Sequence, residues 1–302
     1  MKGISLFFIL LISYSSITCV SANTISLTTN EIIVLKSKES IYYSQSIQEL
    51  KQLVGNNANI LETNIQQKPL LNDASLIISL GARAAQYSRK KNPDTAKIVA
   101  FITLKQSKLL GLKKNEIHLL IEQEPRHYFQ FAKTILPTAK FGVLFRTDDH
   151  EWINSVKQQP DIQTQFIQIT SHSNIIRSTR QIIKKSDVLL ALPNKDIFNR
   201  HTLKGILLNT FQNKKAFISY SSSHVKAGAI ASLYSSTENI GQHIAITLLN
   251  MLKTGSAVFN KRFYALYYSV KTNPRVASSL GLKLPSDEEI KQTIQLLRDE
   301  ND

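Results

Sequence analysis

The sequence holds one cysteine, Cys19, in 302 residues, which excludes an intrachain disulfide and leaves stability to an ordinary apolar core. No apolar run reaches the roughly 20 residues that a membrane span needs. The longest, Ile4 to Ile12, is broken by Ser13, Tyr14, Ser15 and Ser16. Acidic residues are scarce, 22 against 37 Lys and Arg, for a net charge of +15. There is no Gly-x-Ser-x-Gly elbow, no phosphate loop ending in Lys-Ser or Lys-Thr, and no dinucleotide fingerprint after the first strand. The seven histidines share no metal-ligand spacing. No cofactor and no metal are therefore expected, and the common catalytic signatures are missing.

What is present begins with a leader. Lys2, the apolar run and Val20-Ser21-Ala22 follow the order of a secretory signal peptide, with small residues placing the cut before Asn23. A lipid anchor on Cys19 is the lesser reading, because Ser16-Ile17-Thr18 lacks the usual residues before an acylated cysteine. A periplasmic location is expected. The basic surplus favours an anionic partner, although a charged surface also serves solubility alone. Nucleic acid is set aside, since the chain is exported and its basic residues form no stripe interleaved with aromatics.

After the leader, short β-branched runs alternate with stretches of helical period, the pattern of βα units feeding a mostly parallel sheet. Strands are expected at residues 31–36, 58–64, 76–80, 97–103, 116–121, 141–145, 163–170, 187–192, 216–219 and 262–270. Helices are expected at 40–54, 82–90, 126–136, 149–157, 174–184, 197–211 and from the Ser235 to Glu238 capping box to Lys253; the pattern weakens over 105–111. A short helix begun by Pro274 and a last one capped by Ser286 and Glu289 close the chain. The expected fold is α/β with two Rossmann-like lobes: a leader at 1–22, a first lobe at 23–137, a second at 138–260, and a segment at 261–302 that packs back across the lobes.

In open parallel sheets ligands bind beyond the carboxyl ends of the strands. The residues to watch there are Ser40, Arg83, Thr147, Asp148, Asn194, Asp196, Tyr220 and Ser221. Arg83 is suited to a carboxylate, Asp196 to an ammonium group, and Tyr220 with Ser221 to a ring wall and a hydroxyl. The bland alternatives are a surface arginine, a structural cap and a strand-end core tyrosine. Asp148-Asp149-His150 is the one compact acidic and imidazole cluster, read as a helix cap in preference to catalysis.

From Asp187 to Pro193 and Asp196, then Asn199 to Thr202 and Ile206 to Leu208, the chain resembles the substrate-binding proteins of a bacterial ABC-transporter family with the periplasmic binding protein type I fold. Ser219-Tyr220-Ser221, Val225 to Ala229, Leu233 to Ser236, Ile240-Gly241-Gln242, Thr272-Asn273 and Leu280 to Pro285 follow that family's motifs in order. Leu80 to Ala84, Ile135-Leu136-Pro137 and Gly142 to Leu144 extend the likeness more loosely. The resemblance implies two lobes closing on a small ligand, an amino acid or similar polar solute, and delivery to a membrane ABC permease, without chemistry. Where many relatives have a Gly- and Pro-rich stretch with Asn-Val-Thr-Gly, this chain has Lys105 to Gly111 and Glu122-Gln123-Glu124-Pro125, which leaves the first lobe's side of the pocket open. Two other readings stand beside binding: an envelope scaffold that holds a partner or an anionic surface, and an exported transferase-like enzyme using Asp148, Asp149 or Asp196 as a general base.

Overall fold

The computed structural model describes residues 31–149, 153–154, 163–254 and 259–299. The leader and Cys19, and most of the helix expected over 149–157, lie outside them. The first βα series runs β1 (Ile32–Lys36), α1 (Ile41–Val54), β2 (Ile60–Asn64), β3 (Leu76–Leu80), α2 (Ala82–Lys91), β4 (Ala96–Ile102), α3 (Leu104–Leu110) and β5 (Glu116–Leu120). The second runs α4 (Pro125–Ile135), β6 (Phe141–Phe145), β7 (Thr164–Gln168), α5 (Ile175–Ile183), β8 (Val188–Leu190), α6 (Leu203–Gln212), β9 (Ala216–Ser219), α7 (Ser222–Ala227) and β10 (Ala231–Tyr234). The chain ends with α8 (Thr237–Thr254), β11 (Lys261–Phe263), β12 (Ser269–Thr272), α9 (Pro274–Ser279) and α10 (Asp287–Asp299).

Two six-stranded sheets result, ordered β11-β5-β4-β3-β1-β2 and β12-β10-β9-β8-β6-β7. Every pairing is parallel except β10 with β12. The continuous apolar runs follow from burial on both faces: all five residues of β1, β3 and β6 are buried.

The lobe limits differ from those expected. Helix α4 leaves the first series to pack on the second sheet, where Phe129 meets Phe141 edge-on at 6.4 Å and Ile290 and Ile294 of α10 join the same core. Helix α8 returns to the first sheet, with Ile240, Ile244, Leu248 and Met251 against Ile47, Leu50 and Val54 of α1. The chain therefore crosses between sheets three times, after β5, after β10 and after β11, and not at 137 and 260. Apolar faces decide this, since α4 and α8 each bury their stripe on the sheet the expected limits did not give them.

The alternating stretch expected as one strand over 262–270 is two. Arg262 and Phe263 extend the first sheet beside β5, while Ser269 and Val270 run antiparallel to β10 in the second. A buried polar chain fixes β11. Arg262 Nε donates to Ser107 Oγ at 2.7 Å, Ser107 pairs with His118 Nδ1 at 2.6 Å, and His118 Nε2 meets Glu116 at 3.1 Å. Arg89 closes the chain through Nε at 2.7 Å to Glu116. Burial alone would raise the Glu116 carboxyl, yet the bonds from His118 and Arg89 hold it down at about 2.

The capping box of α8 is one residue later than expected: Ser236 Oγ accepts from the Asn239 amide at 3.1 Å and Asn239 Oδ1 from the Ser236 amide at 3.0 Å. Helix α3, where the sequence pattern weakens, starts from a box of Thr103 and Gln106. Helix α7 and strand β10 were not expected; they are six and four residues long, too short for periodicity to mark. Helix α6 begins at Leu203, because residues 197–202 form turns closed by Thr202 Oγ1 donating to Ile197 O at 2.5 Å.

Helices α1 and α8 approach so closely at Gly241 that a Cβ there would collide with the Ser46 carbonyl oxygen and lie 2.9 Å from Glu49 Cβ. A backbone oxygen has no rotamer to move to, so Gly241→Ala is expected to cost about 1–3 kcal/mol. A lowered urea midpoint at unchanged m would show it; a wild-type midpoint would contradict this packing.

Candidate functional site

The carboxyl ends of the two sheets face one another. The most direct link is Lys105 Nζ, in the first turn after β4, which lies 2.9 Å from Asp196 Oδ2 in the loop after β8. A second is electrostatic. Glu122 follows β5, and its carboxylate is felt by Tyr220 after β9, while Lys195 after β8 is felt by Glu122. Four strand ends, two from each sheet, thus converge on one region.

On the first lobe, Ser37 Oγ accepts from the Ala84 amide at 2.9 Å, tying the loop after β1 to the start of α2. Gly81, at φ 91, permits this: a Cβ there would meet Ser37 Oγ and Tyr43 Oη, each at 2.7 Å. Ser40 and Arg83 ride on this pair of loops. Ser40 occupies the N-cap position of α1 with no side-chain bond to its amides, and Arg83 is exposed. Neither bonds to the second lobe among the described residues. Phe101, in the left-handed region at φ 56, lies within a register shift between β4 and β5 and sets its ring edge-on to Tyr43 at 4.9 Å.

On the second lobe, Asn194 staples the loop after β8. Its Oδ1 accepts from the Asp196 amide at 2.9 Å, and its Nδ2 donates to both oxygens of Asp149 at 3.0 and 2.8 Å. Asp149 also accepts from the Arg146 amide at 2.7 Å, so its carboxylate works as a turn-forming group. Thr147 accepts from Gln168 Nε2 at 2.9 Å. Tyr220 is half-buried, edge-on to Phe198 at 6.3 Å and to His224 at 5.1 Å, and burial with the Glu122 charge beside it raises its hydroxyl well above the usual range. Ser221 pairs with Ser223 at 2.8 Å. Burial pushes His224 down to about 4, and Ser219 Oγ bonds its Nδ1 at 2.5 Å.

The structure thus joins Asp196, Asn194 and Asp149 in one network and brings Lys105 and Glu122 to it from the other lobe. The Asp148 side chain and His150 lie outside the described residues. Glu122 and Lys105 were missed as site residues, although both belong to the two segments where the chain departs from the resembled family. Among the described residues no three His, Cys, Asp or Glu side chains converge as metal ligands.

Glu122 is strongly perturbed as well. Both of its oxygens accept from the Leu104 amide, at 3.1 and 3.0 Å. Burial nonetheless raises its carboxyl to about 7, against the lowering effect of that amide and of Lys195.

Solved structures give the architecture its name. The chain is similar to the ligand-free, open structure of a substrate-binding protein with adhesive properties from Clostridium difficile, with a TM-score of 0.67 and 18% identity over 86% of this chain and 97% of that one. The fold is that of a type I periplasmic binding protein. An ABC domain in complex with L-Trp from Streptococcus pneumonia matches at TM-score 0.55 and 16% identity, over 88% of this chain and 98% of that one. The arabinose-binding protein AraP from Geobacillus stearothermophilus matches at 0.54 and 10%, over 82% and 98%. No family model matches the chain, and no curated protein matches it by sequence. The convergence of strand ends described above lies between the two lobes of this fold.

The Glu122 shift carries a sign. Its carboxyl lies near 7 in the folded chain and near 4.5 as an unperturbed group, so between those values the folded state holds a proton the unfolded state has lost. Stability from this group is then full below about pH 4.5 and declines toward pH 7, by roughly 1.4 kcal/mol per pH unit at most. His224 and His243, each pushed down to about 4 by burial, act in the opposite direction from about pH 6.5 downward, so wild type is compared with Glu122→Gln. Urea titrations at pH 5 and pH 8 are expected to show wild type losing on the order of 2 kcal/mol more than the variant. Equal losses would remove the shift.

Proposed function

We propose that the chain is an exported solute-binding component of an ABC-type uptake system, which holds one small polar ligand between its lobes and releases it unchanged to a membrane permease. The observation that carries this reading is the meeting of four strand ends from two sheets, with charged groups of both signs, at a junction the chain crosses three times. A binding protein of this kind needs a higher affinity in its closed state and no reacting group.

The ligand contacts proposed are Ser40 and Arg83 from the first lobe and Thr147, Asp148, Asp196, Tyr220 and Ser221 from the second, with Asn194 holding the Asp196 loop. Arg83 would take a carboxylate and Asp196 an ammonium group, the role that Lys105 fills in this arrangement. A zwitterionic ligand such as an amino acid fits this pairing, in line with the L-Trp complex of the Streptococcus protein. Of the general-base candidates Asp148, Asp149 and Asp196, the last two already accept hydrogen bonds, from Asn194 and Arg146 and from Lys105.

Thermal-shift screening of the chain from Asn23 onward against amino acids, nucleosides, sugars and organic anions tests the reading. A ligand at 100 times its dissociation constant adds about 2.7 kcal/mol. One chemical class should give a saturable rise in Tm, weakened at least tenfold in affinity by Asp196→Ala or Tyr220→Ala. No shift across the panel would count against solute binding.

A further inference from the structure

Helices α5 and α6 pack side by side on the outer face of the second lobe. Arg180 Nε of α5 donates to Asn209 Oδ1 of α6 at 2.7 Å, and Gly205 leaves room for Ile176, whose Cδ1 would lie 2.7 Å from a Cβ there. Their solvent faces are unusual in two respects. On α6 the exposed stripe is Lys204, Leu208 and Phe211, at i, i+4 and i+7, with Leu208 52% and Phe211 48% exposed. On α5 the exposed stripe is Arg177, Arg180 and Lys184, at i, i+3 and i+7, and exposed Lys214 follows the end of α6.

No acidic side chain lies on either helix. From residue 163 to 226 the sequence has ten Lys and Arg and only two acids, Asp187 and Asp196. Both acids are engaged: Asp187 accepts from Lys215 at 3.3 Å and from the Lys140 amide at 3.0 Å, and Asp196 pairs with Lys105. Positive charge toward a helix C-terminus suits the dipole and explains Lys184 and Lys214. It does not explain Lys204 in the first turn of α6, nor a half-exposed Leu and Phe one turn apart beside it.

We infer that the α5–α6 face docks on an anionic lipid surface, with Phe211 and Leu208 entering the headgroup boundary while Lys204, Lys214, Arg177 and Lys184 meet lipid phosphates. The pairing of aromatic and aliphatic tips with a cation-rich surround is the chemistry of interfacial membrane attachment. A soluble polyanion would use the cations and leave the two apolar side chains without a role, which is why a bilayer is the partner argued here. The face belongs to the lobe's outer layer, apart from the strand ends where the ligand contacts are proposed, so attachment leaves binding free to proceed.

Co-sedimentation of the chain from Asn23 onward with vesicles of phosphatidylcholine alone, or with about a third phosphatidylglycerol, tests it. Binding to the anionic vesicles only, lost at high salt, is expected, with Leu208→Ser/Phe211→Ser and Lys204→Gln/Lys214→Gln each weakening it about tenfold or more. All four positions are exposed, and an unchanged Tm for each variant shows that the fold is kept. Absence of binding to anionic vesicles overturns the proposal. So does binding that the Leu208 and Phe211 changes leave intact, which would make the face a general polyanion surface. Solute binding is read separately by the Tm rise with ligand, so failure of one reading leaves the other standing.

Discussion

The three passages of the chain between the sheets meet at the carboxamide of Gln123, and the arrangement of both lobes depends on that meeting. Gln123 lies in the first crossing and is fully buried. Its Nε2 donates to Ser235 Oγ of the second crossing at 2.9 Å and to the Tyr267 carbonyl of the third at 2.8 Å. Ser235 Oγ in turn donates back to the Ile121 carbonyl at 2.9 Å, and the Gln123 amide donates to Tyr128 Oη at 3.2 Å. A buried polar group left without its partner costs about 1–3 kcal/mol, so these bonds tie the three crossing segments to one another.

The contacts farther out are of another kind. Lys105 and Asp196 bridge the lobes with side chains 56% and 52% exposed, and an exposed pair contributes about 0–1 kcal/mol. The crossings are thus held by buried hydrogen bonds and the mouth by an exposed ion pair.

The sequence carried the sheets well and the lobes poorly. Strands such as Leu76 to Leu80 and Phe141 to Phe145 were legible because burial on both faces makes an uninterrupted apolar run bounded by turns. The side on which a helix packs is a different matter: the periodicity of α4 and α8 shows that each buries a stripe, and says nothing about which sheet receives it. Residues 262–270 misled for the same reason, since two short edge strands in different sheets share one alternating pattern. The loops after the strands were picked out from topology, whereas Glu122 and Lys105, which the fold brings beside them, were not. Their importance arises from the other lobe and from burial, and neither leaves a local signal beyond the departure from the family pattern at those two segments. Ser235 was assigned to a cap because its spacing to Glu238 fitted one, while in the fold its hydroxyl belongs to the crossings.

The central claim is that two lobes pivot about the Gln123 junction and close on a ligand. The measurement that tests it most directly is the inter-lobe distance by pulsed electron paramagnetic resonance, with spin labels on Gln48→Cys in α1 and Lys226→Cys in α7. Both positions are exposed, and the chain from Asn23 onward holds no other cysteine. The account predicts a distribution that shortens and narrows when the compound with the largest thermal shift saturates the protein. The same distribution with and without that compound would contradict it.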